Sequence, residues 1–148
     1  MELKEIKELK TLSIRTKSPV EKLPNILGEG YGEIMKYIGE LGIEPTGEPF
    51  VIYYNMDMSN LDIELGFPVA VKHPNKGRVQ SSKIPGGKFA TTLHVGPYET
   101  VEKSYNELNA FIISQGHEAQ NWVIEAYLND PRENPGEEPK TMIYIPLK

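Results

Sequence analysis

Glu125 stands out among the acidic residues of this chain because of what surrounds it. It lies in the run Trp122-Val123-Ile124-Glu125-Ala126-Tyr127-Leu128. As a strand, this run sends Val123, Glu125 and Tyr127 to one face and Trp122, Ile124, Ala126 and Leu128 to the other. The second set is apolar enough to pack beneath a helix, so the first set is expected on the far side of the sheet. There a carboxylate between valine and tyrosine suits the wall of a groove. The plain alternative is a solvated glutamate on an edge strand, since charged residues mostly sit at the surface. In a desolvated aromatic site, burial raises a carboxyl pKa. Such a group has two chemical uses. It can attract an organic cation, with ring faces adding cation–π attraction. It can also act as general acid or base toward a bound electrophile and water.

Other side chains are weighed against that acid. Tyr144 joins Glu125 if Ile143 and Ile145 face the helices, where its phenol would donate to the carboxylate or stack on a ligand. Otherwise it is a half-buried strand tyrosine. Trp122, the single tryptophan, belongs to the core by parity, although a twist or bulge at a strand end would bring it to a ligand. Phe67 and Tyr31 are core or groove-end residues. Asp62 and Glu64 alternate with Ile63 and Leu65 and are expected at solvent, with the groove mouth as the alternative. His94, just before Gly96-Pro97, is read as a structural residue bonded to turn backbone. His73 and His117 lie in turns without partners at metal-ligand spacing, so no metal site is expected. Gly28-Glu29-Gly30 is no dinucleotide fingerprint, because no strand leads into it. Ser-His-Asp order and phosphate loops are missing from the sequence, cysteine is absent, and no cofactor is expected.

Two long helices and seven strands position these residues. Ser18, Pro19 and Glu21 form a capping-box pattern at the head of the first helix. Leu23, Leu27, Tyr31, Ile34, Ile38 and Leu41 then mark an apolar face. Pro24 and the glycines at 28, 30 and 32 predict a break, with a short helix followed by a longer one, and Gly42 predicts the end. The second helix is expected from Gly96-Pro97, with Val101, Tyr105, Leu108, Phe111 and Ile112 as its stripe and Gly116 as its stop. Strands are expected at 11–15, 50–55, 61–67, 79–83, 89–95, 122–128 and 141–146. Turn-rich stretches fall at 73–77 and 130–139, the latter expected to be a mobile loop.

An offset of 74 residues superposes the two halves without a gap. Tyr31 meets Tyr105, Glu33 meets Glu107, Ile34 meets Leu108 and Ile38 meets Ile112. Gly42 meets Gly116, Glu44 meets Glu118, Tyr53 meets Tyr127 and Asn55 meets Asn129. After a four-residue insertion, Leu65-Gly66-Phe67-Pro68 corresponds to Ile143-Tyr144-Ile145-Pro146. Each half therefore reads strand–helix–strand–strand, at about 8–70 and 78–148. Two such units are expected to pair about a pseudo-two-fold axis as a single domain over 1–148. Glu125 breaks the repeat, because its counterpart is Val51, while Tyr53 and Tyr127 keep it. An acid that differs where its surroundings agree points to function, and Val51 and Tyr53 are expected to line the groove from the first half.

Bulk properties narrow the partners. The 148 residues carry 16 Lys and Arg against 21 Asp and Glu, a net charge of −5. The basic residues are scattered rather than gathered in a stripe, and no helix-turn-helix is present. Direct nucleic-acid binding is therefore not expected. No window approaches the roughly 18 apolar residues of a membrane helix. Residues 1–10 are charged and lack the apolar run of a signal peptide, so a cytoplasmic protein without a membrane partner is expected.

Three segments in order, His94-Val95-Gly96-Pro97-Tyr98, Glu125-Ala126-Tyr127-Leu128-Asn129-Asp130-Pro131 and Thr141-Met142-Ile143-Tyr144-Ile145-Pro146-Leu147, resemble those of the GyrI-like small-molecule-binding domain family. That family is related to the effector-binding halves of multidrug-sensing transcription regulators. The Gly66-Phe67-Pro68 turn and Ile84-Pro85-Gly86-Gly87 also fit, and the similarity spans roughly residues 12–147. The resemblance implies an α/β (α+β) fold of duplicated units, with an antiparallel sheet, helices on one face and an aromatic groove on the other. It implies that Glu125 meets hydrophobic, cationic aromatic ligands, with Tyr127, Tyr144, Tyr53, Val51, Val123, Trp122 and Phe67 around it, in sensing or sequestration. Family members that hydrolyse electrophilic toxins imply Glu125 and Tyr144 as catalytic groups in an enzyme. Members that inhibit DNA gyrase imply a protein partner. Fold alone does not choose among these.

Overall fold

The computed structural model describes residues 1–129 and 136–148, the Glu99 side chain aside. Residues 130–135 of the anticipated mobile loop, including Asp130 and Pro131, lie outside the described residues. The chain divides into two compact units, Lys7–Gly86 and Met1–Ile6 with Gly87–Lys148.

In the first unit the elements run β2 (Leu9–Ser18), α1 (Leu23–Leu41), β3 (Phe50–Tyr53), β4 (Leu61–Pro68) and β5 (Gln80–Ile84). The antiparallel order is β3-β4-β2-β5. Alternation sets one face as Leu12, Ile14, Val51, Tyr53, Ile63, Leu65 and Phe67, and α1 packs there. Gly30 of α1 approaches so closely that a Cβ would lie 2.5 Å from Leu65 Cδ1, and Tyr31 meets Phe67 edge-on at 5.4 Å. Val51, Ile63 and Leu65 are fully buried as a result.

The expected break within α1 is not there. The chain makes a 3-10 turn at Val20–Lys22 and then one continuous helix. Pro24 falls in the first helical turn, where no intrahelical N–H bond is lost. Ser18 does not cap either, since its Oγ donates to the Pro19 carbonyl at 2.8 Å. Gly42 does end the helix, at φ 69°.

The second unit runs β1 (Glu2–Ile6), β6 (Gly87–Val95), α2 (Val101–Ser114), β7 (Val123–Tyr127) and β8 (Lys140–Pro146), in antiparallel order β1-β6-β8-β7. A 3-10 turn at Tyr98–Thr100 leads into α2, and Gly116 beyond its end has φ 77°. Leu108 and Ile112 of α2 are buried. Each unit thus contains strand–helix–strand–strand plus one added edge strand. β5 pairs with β2, although the repeat boundaries would group it with the second half. β1, a strand that the charged N-terminal residues concealed, pairs with β6.

Candidate functional site

Glu125 is 2% exposed, and the reason is its face. Pairing sets Ile143 opposite Glu125, Thr141 opposite Tyr127, and His94 opposite Thr141. Residues paired across an antiparallel ladder share a face, so Val123, Glu125, Tyr127, Ile143 and His94 form one surface. α2 lies on it, because Tyr105 of that helix reaches the carboxylate. This corrects the face expected from the sequence: Glu125 sits beneath the helix, and Ile124 and Ala126 face away. The apolar residues at even positions mimic a core pattern, but the helix covers the odd ones.

Three phenols converge on the acid. Tyr98 donates to Oε1 at 2.8 Å and Tyr127 to the same oxygen at 3.0 Å, while Tyr105 makes a short hydrogen bond to Oε2. Burial pushes the Glu125 pKa above its ordinary value of 4.5. The bonds from Tyr105, Tyr98 and Tyr127 oppose that rise by stabilising the anion, and so does the electrostatic influence of His94. The carboxylate's direct partners here are neutral hydroxyls.

Tyr98 is held by a second set of bonds around His94. The ring Nδ1 lies 2.7 Å from Ser104 Oγ and Nε2 lies 3.0 Å from the Pro97 carbonyl. Thr100 Oγ1 also donates to that carbonyl, at 2.8 Å. The buried histidine therefore fastens the end of β6 to the 3-10 turn that carries Tyr98, as the turn reading anticipated.

The remaining expected site residues separate. Tyr127 and Val123 share the face of Glu125. Tyr144 does not, because it pairs with Ile124 and Thr91. Its ring stands edge-on to Phe89 at 6.4 Å, and Trp122 meets the same Phe89 ring at 6.0 Å. Trp122 is half-buried, and its indole N–H donates to Gln120 Oε1 at 3.2 Å. Tyr144 and Trp122 thus belong to an aromatic cluster on the sheet face turned away from α2. Val51, Tyr53 and Phe67 lie under α1 in the first unit. Tyr98 and Tyr105 were missed as partners of Glu125. The signal for Tyr105 was its place in the helix stripe with Leu108 and Ile112, and for Tyr98 its place at the head of that helix.

Glu64, expected at solvent, is instead 7% exposed. Ser13 donates to its Oε2 at 2.6 Å and Tyr54 to its Oε1 at 2.8 Å. Asp62 is paired twice to Arg15, at 2.7 and 2.8 Å. No cluster of metal-binding type occurs among the described residues, and no helix among them is long and apolar enough to cross a membrane.

Glu125 is thus a buried acid bonded by three phenols between a sheet and its helix, and comparison gives the class of the chain. The chain belongs to the GyrI-like small molecule binding domain family, whose model matches residues 1–148. No curated protein matches it. Among solved structures it is similar to EcmrR in an EcmrR–DNA complex, at 24% identity and a TM-score of 0.84, where 99% of this chain spans only 56% of that one. The C-terminal domain of EcmrR alone matches at 22% identity and 0.82, over 99% of this chain and 96% of that one. SAV2435 bound to tetraphenylphosphonium matches at 13% identity and 0.68, covering 99% and 93%. A hydrolase encoded by lin2189 from Listeria innocua matches at 16% and 0.68, covering 99% and 91%. At these identities the likeness is one of fold.

Proposed function

We propose that this chain binds hydrophobic, cationic aromatic small molecules through Glu125, as a sensing or sequestering domain. The observation that carries the reading is a buried carboxylate whose ligands in the second unit are three phenols. Burial makes the anion costly and raises its pKa, so an incoming organic cation gains strongly from pairing with it at low dielectric. Tyr98, Tyr105 and Tyr127 hold the charge in place and offer ring faces to the same ligand. That a fold neighbour, SAV2435, is bound to tetraphenylphosphonium supports the ligand class.

The test is calorimetric titration of tetraphenylphosphonium into the wild-type protein and Glu125→Gln. The substitution is expected to weaken binding by about 1–3 kcal/mol while leaving the melting transition cooperative. Equal affinities would remove Glu125 from the site.

Hydrolysis of an electrophilic small molecule is the second reading, favoured by a hydrolase among the fold neighbours. A glutamate with a raised pKa would direct water, with a phenol beside it as proton donor. Tyr144, on the other face, is not that donor; Tyr98, Tyr105 or Tyr127 would be. Turnover beyond stoichiometric binding, lost in Glu125→Gln, distinguishes it from simple binding.

A further inference from the structure

In the first unit, the connection from β4 to β5 carries charge of one sign. From Leu65 to Gly86 the chain has four Lys and Arg and no Asp or Glu. Two of these cations are engaged by α1, where Lys76 pairs with Glu40, and Arg78 with Glu33 at 2.8 Å. Further bonds hold the connection in place. Val69 N–H donates to the Lys10 carbonyl at 2.8 Å, Tyr37 to the Pro74 carbonyl at 2.6 Å, and Ser81 N–H to Asn75 Oδ1 at 2.8 Å. Lys76 and Val79 exchange backbone bonds at 2.8 and 2.9 Å around Gly77, whose φ is 57°.

Beside this fastened connection lies an open cavity of about 420 Å³, lined by Glu8, Lys10, Lys72, Ser81, Ser82 and Lys83. That volume is in the range of small-molecule sites. Its charged lining is three ammoniums against one carboxylate. Glu8 pairs with Lys83 at 2.9 Å, and Lys10 and Lys72 make no ion pair among the described residues. Two positive charges are left over, in a chain whose net charge is −5.

Strand register gives a second, independent observation. Lys10 of β2 stands directly opposite Lys83 of β5. Residues paired in this way share a face with Cβ atoms about 5 Å apart, and like charges there are destabilising. Farther along the same strand the cations face acids, Arg15 opposite Glu64 and Lys17 opposite Asp62. A lysine on β5 alone would serve to protect a sheet edge, but Lys10 stands one strand further in. An anion shared between the two lysines turns their repulsion into attraction.

We propose that this cavity is a second binding site, for a small organic phosphate monoester. The dianion sits among Lys10, Lys72 and Lys83, since ammonium groups meet phosphate as point charges. Ser81, opposite Leu12 and so on the same face as the lysine pair, adds a hydroxyl donor. The rest of the cavity takes the uncharged body of the ligand.

Glucose 6-phosphate is the probe, and glucose, which lacks the dianion, is its control. Titrated by NMR into 15N-labelled wild-type protein at constant ionic strength, glucose 6-phosphate is expected to saturate and to move the amides of Lys10, Lys72, Ser81 and Lys83. Glucose is expected to leave them in place. Lys10→Gln and Lys72→Gln are each expected to weaken binding roughly threefold to tenfold, the effect of losing one partly exposed charged partner. Lys36→Gln, an exposed lysine of α1 outside the cavity lining, is expected to change nothing, and so is Glu125→Gln. Without ligand, Lys10→Gln is expected to melt no lower than the wild type, because it removes a like-charge pair. Shifts that do not saturate, or that glucose reproduces, overturn the proposal. So does a Lys36→Gln effect as large as that of Lys10→Gln, or a Lys10→Gln protein that binds as well as the wild type.

Discussion

The two units set the same kind of scaffold, one helix on a four-stranded antiparallel sheet, against two differently placed acids. In the second unit Glu125 lies beneath α2 and is gripped by Tyr98, Tyr105 and Tyr127. In the first, the equivalent position is Val51, fully buried against α1, and the buried acid is Glu64 on the other face. The difference teaches that duplication supplies the frame while single positions assign the chemistry. A valine completes an apolar core at one position, and a glutamate with three phenol partners sets a buried acid at the other. Position 66 and its counterpart 144 repeat the lesson on the far faces, where glycine lets β4 pack closely against Leu12 and Ser13 and a tyrosine fills space against Phe89.

Exchanging residues between the units is the way to break this comparison. Gly66 faces backbone rather than yielding side chain, so Gly66→Ala is expected to cost about 3 kcal/mol, the upper range for overpacking. A denaturation midpoint shift of under about 0.5 kcal/mol would show the close approach to be unimportant. Glu125→Val copies the first unit and is expected to keep a cooperative fold while weakening tetraphenylphosphonium binding by roughly 10–100-fold. Retained affinity would mean that the aromatic walls, not the charge, select the ligand.

Smaller effects sharpen the account. Glu125 has a folded pKa above its ordinary value, so the unfolded chain releases that proton first as pH rises. Its stabilising contribution is complete below the ordinary value of 4.5 and is lost as pH climbs through the raised one. Urea midpoints are therefore expected to fall across that window in the wild-type protein relative to Glu125→Gln; parallel curves would place the carboxyl in water. Tyr105→Phe removes a bond that lowers this pKa and is expected to push the window upward. Arg15→Met breaks a pair whose guanidinium is half exposed and is expected to cost under about 1 kcal/mol in the same urea measurement.

Much of this frame was readable from residue pattern. The apolar stripes and glycine stops located both helices, because helix stripes and left-handed caps are local signals, and the 74-residue offset related them. Glu125 was found through the strand alternation around it and the family resemblance, and its break in the repeat added to that. The face of Glu125 was not, since a strand with apolar residues at both parities does not reveal which side the helix covers. Tyr144 was misplaced by the same inversion. Glu64 was hidden because charge predicts exposure, and its partners Ser13 and Tyr54 are distant in sequence or outside the strand pattern. β1 was hidden by its charged residues, which an edge strand tolerates on its open side.

The central claim is that Glu125 carries the charge that a cationic ligand seeks, and carbon-13 NMR of the glutamate side-chain carboxyls measures it directly. In the free protein one carboxyl, absent from Glu125→Gln, is expected to titrate above the ordinary value of 4.5. Saturating tetraphenylphosphonium is expected to pull that titration down, because a bound cation favours the anion. A Glu125 carboxyl that titrates in the ordinary range and ignores the ligand would contradict the account.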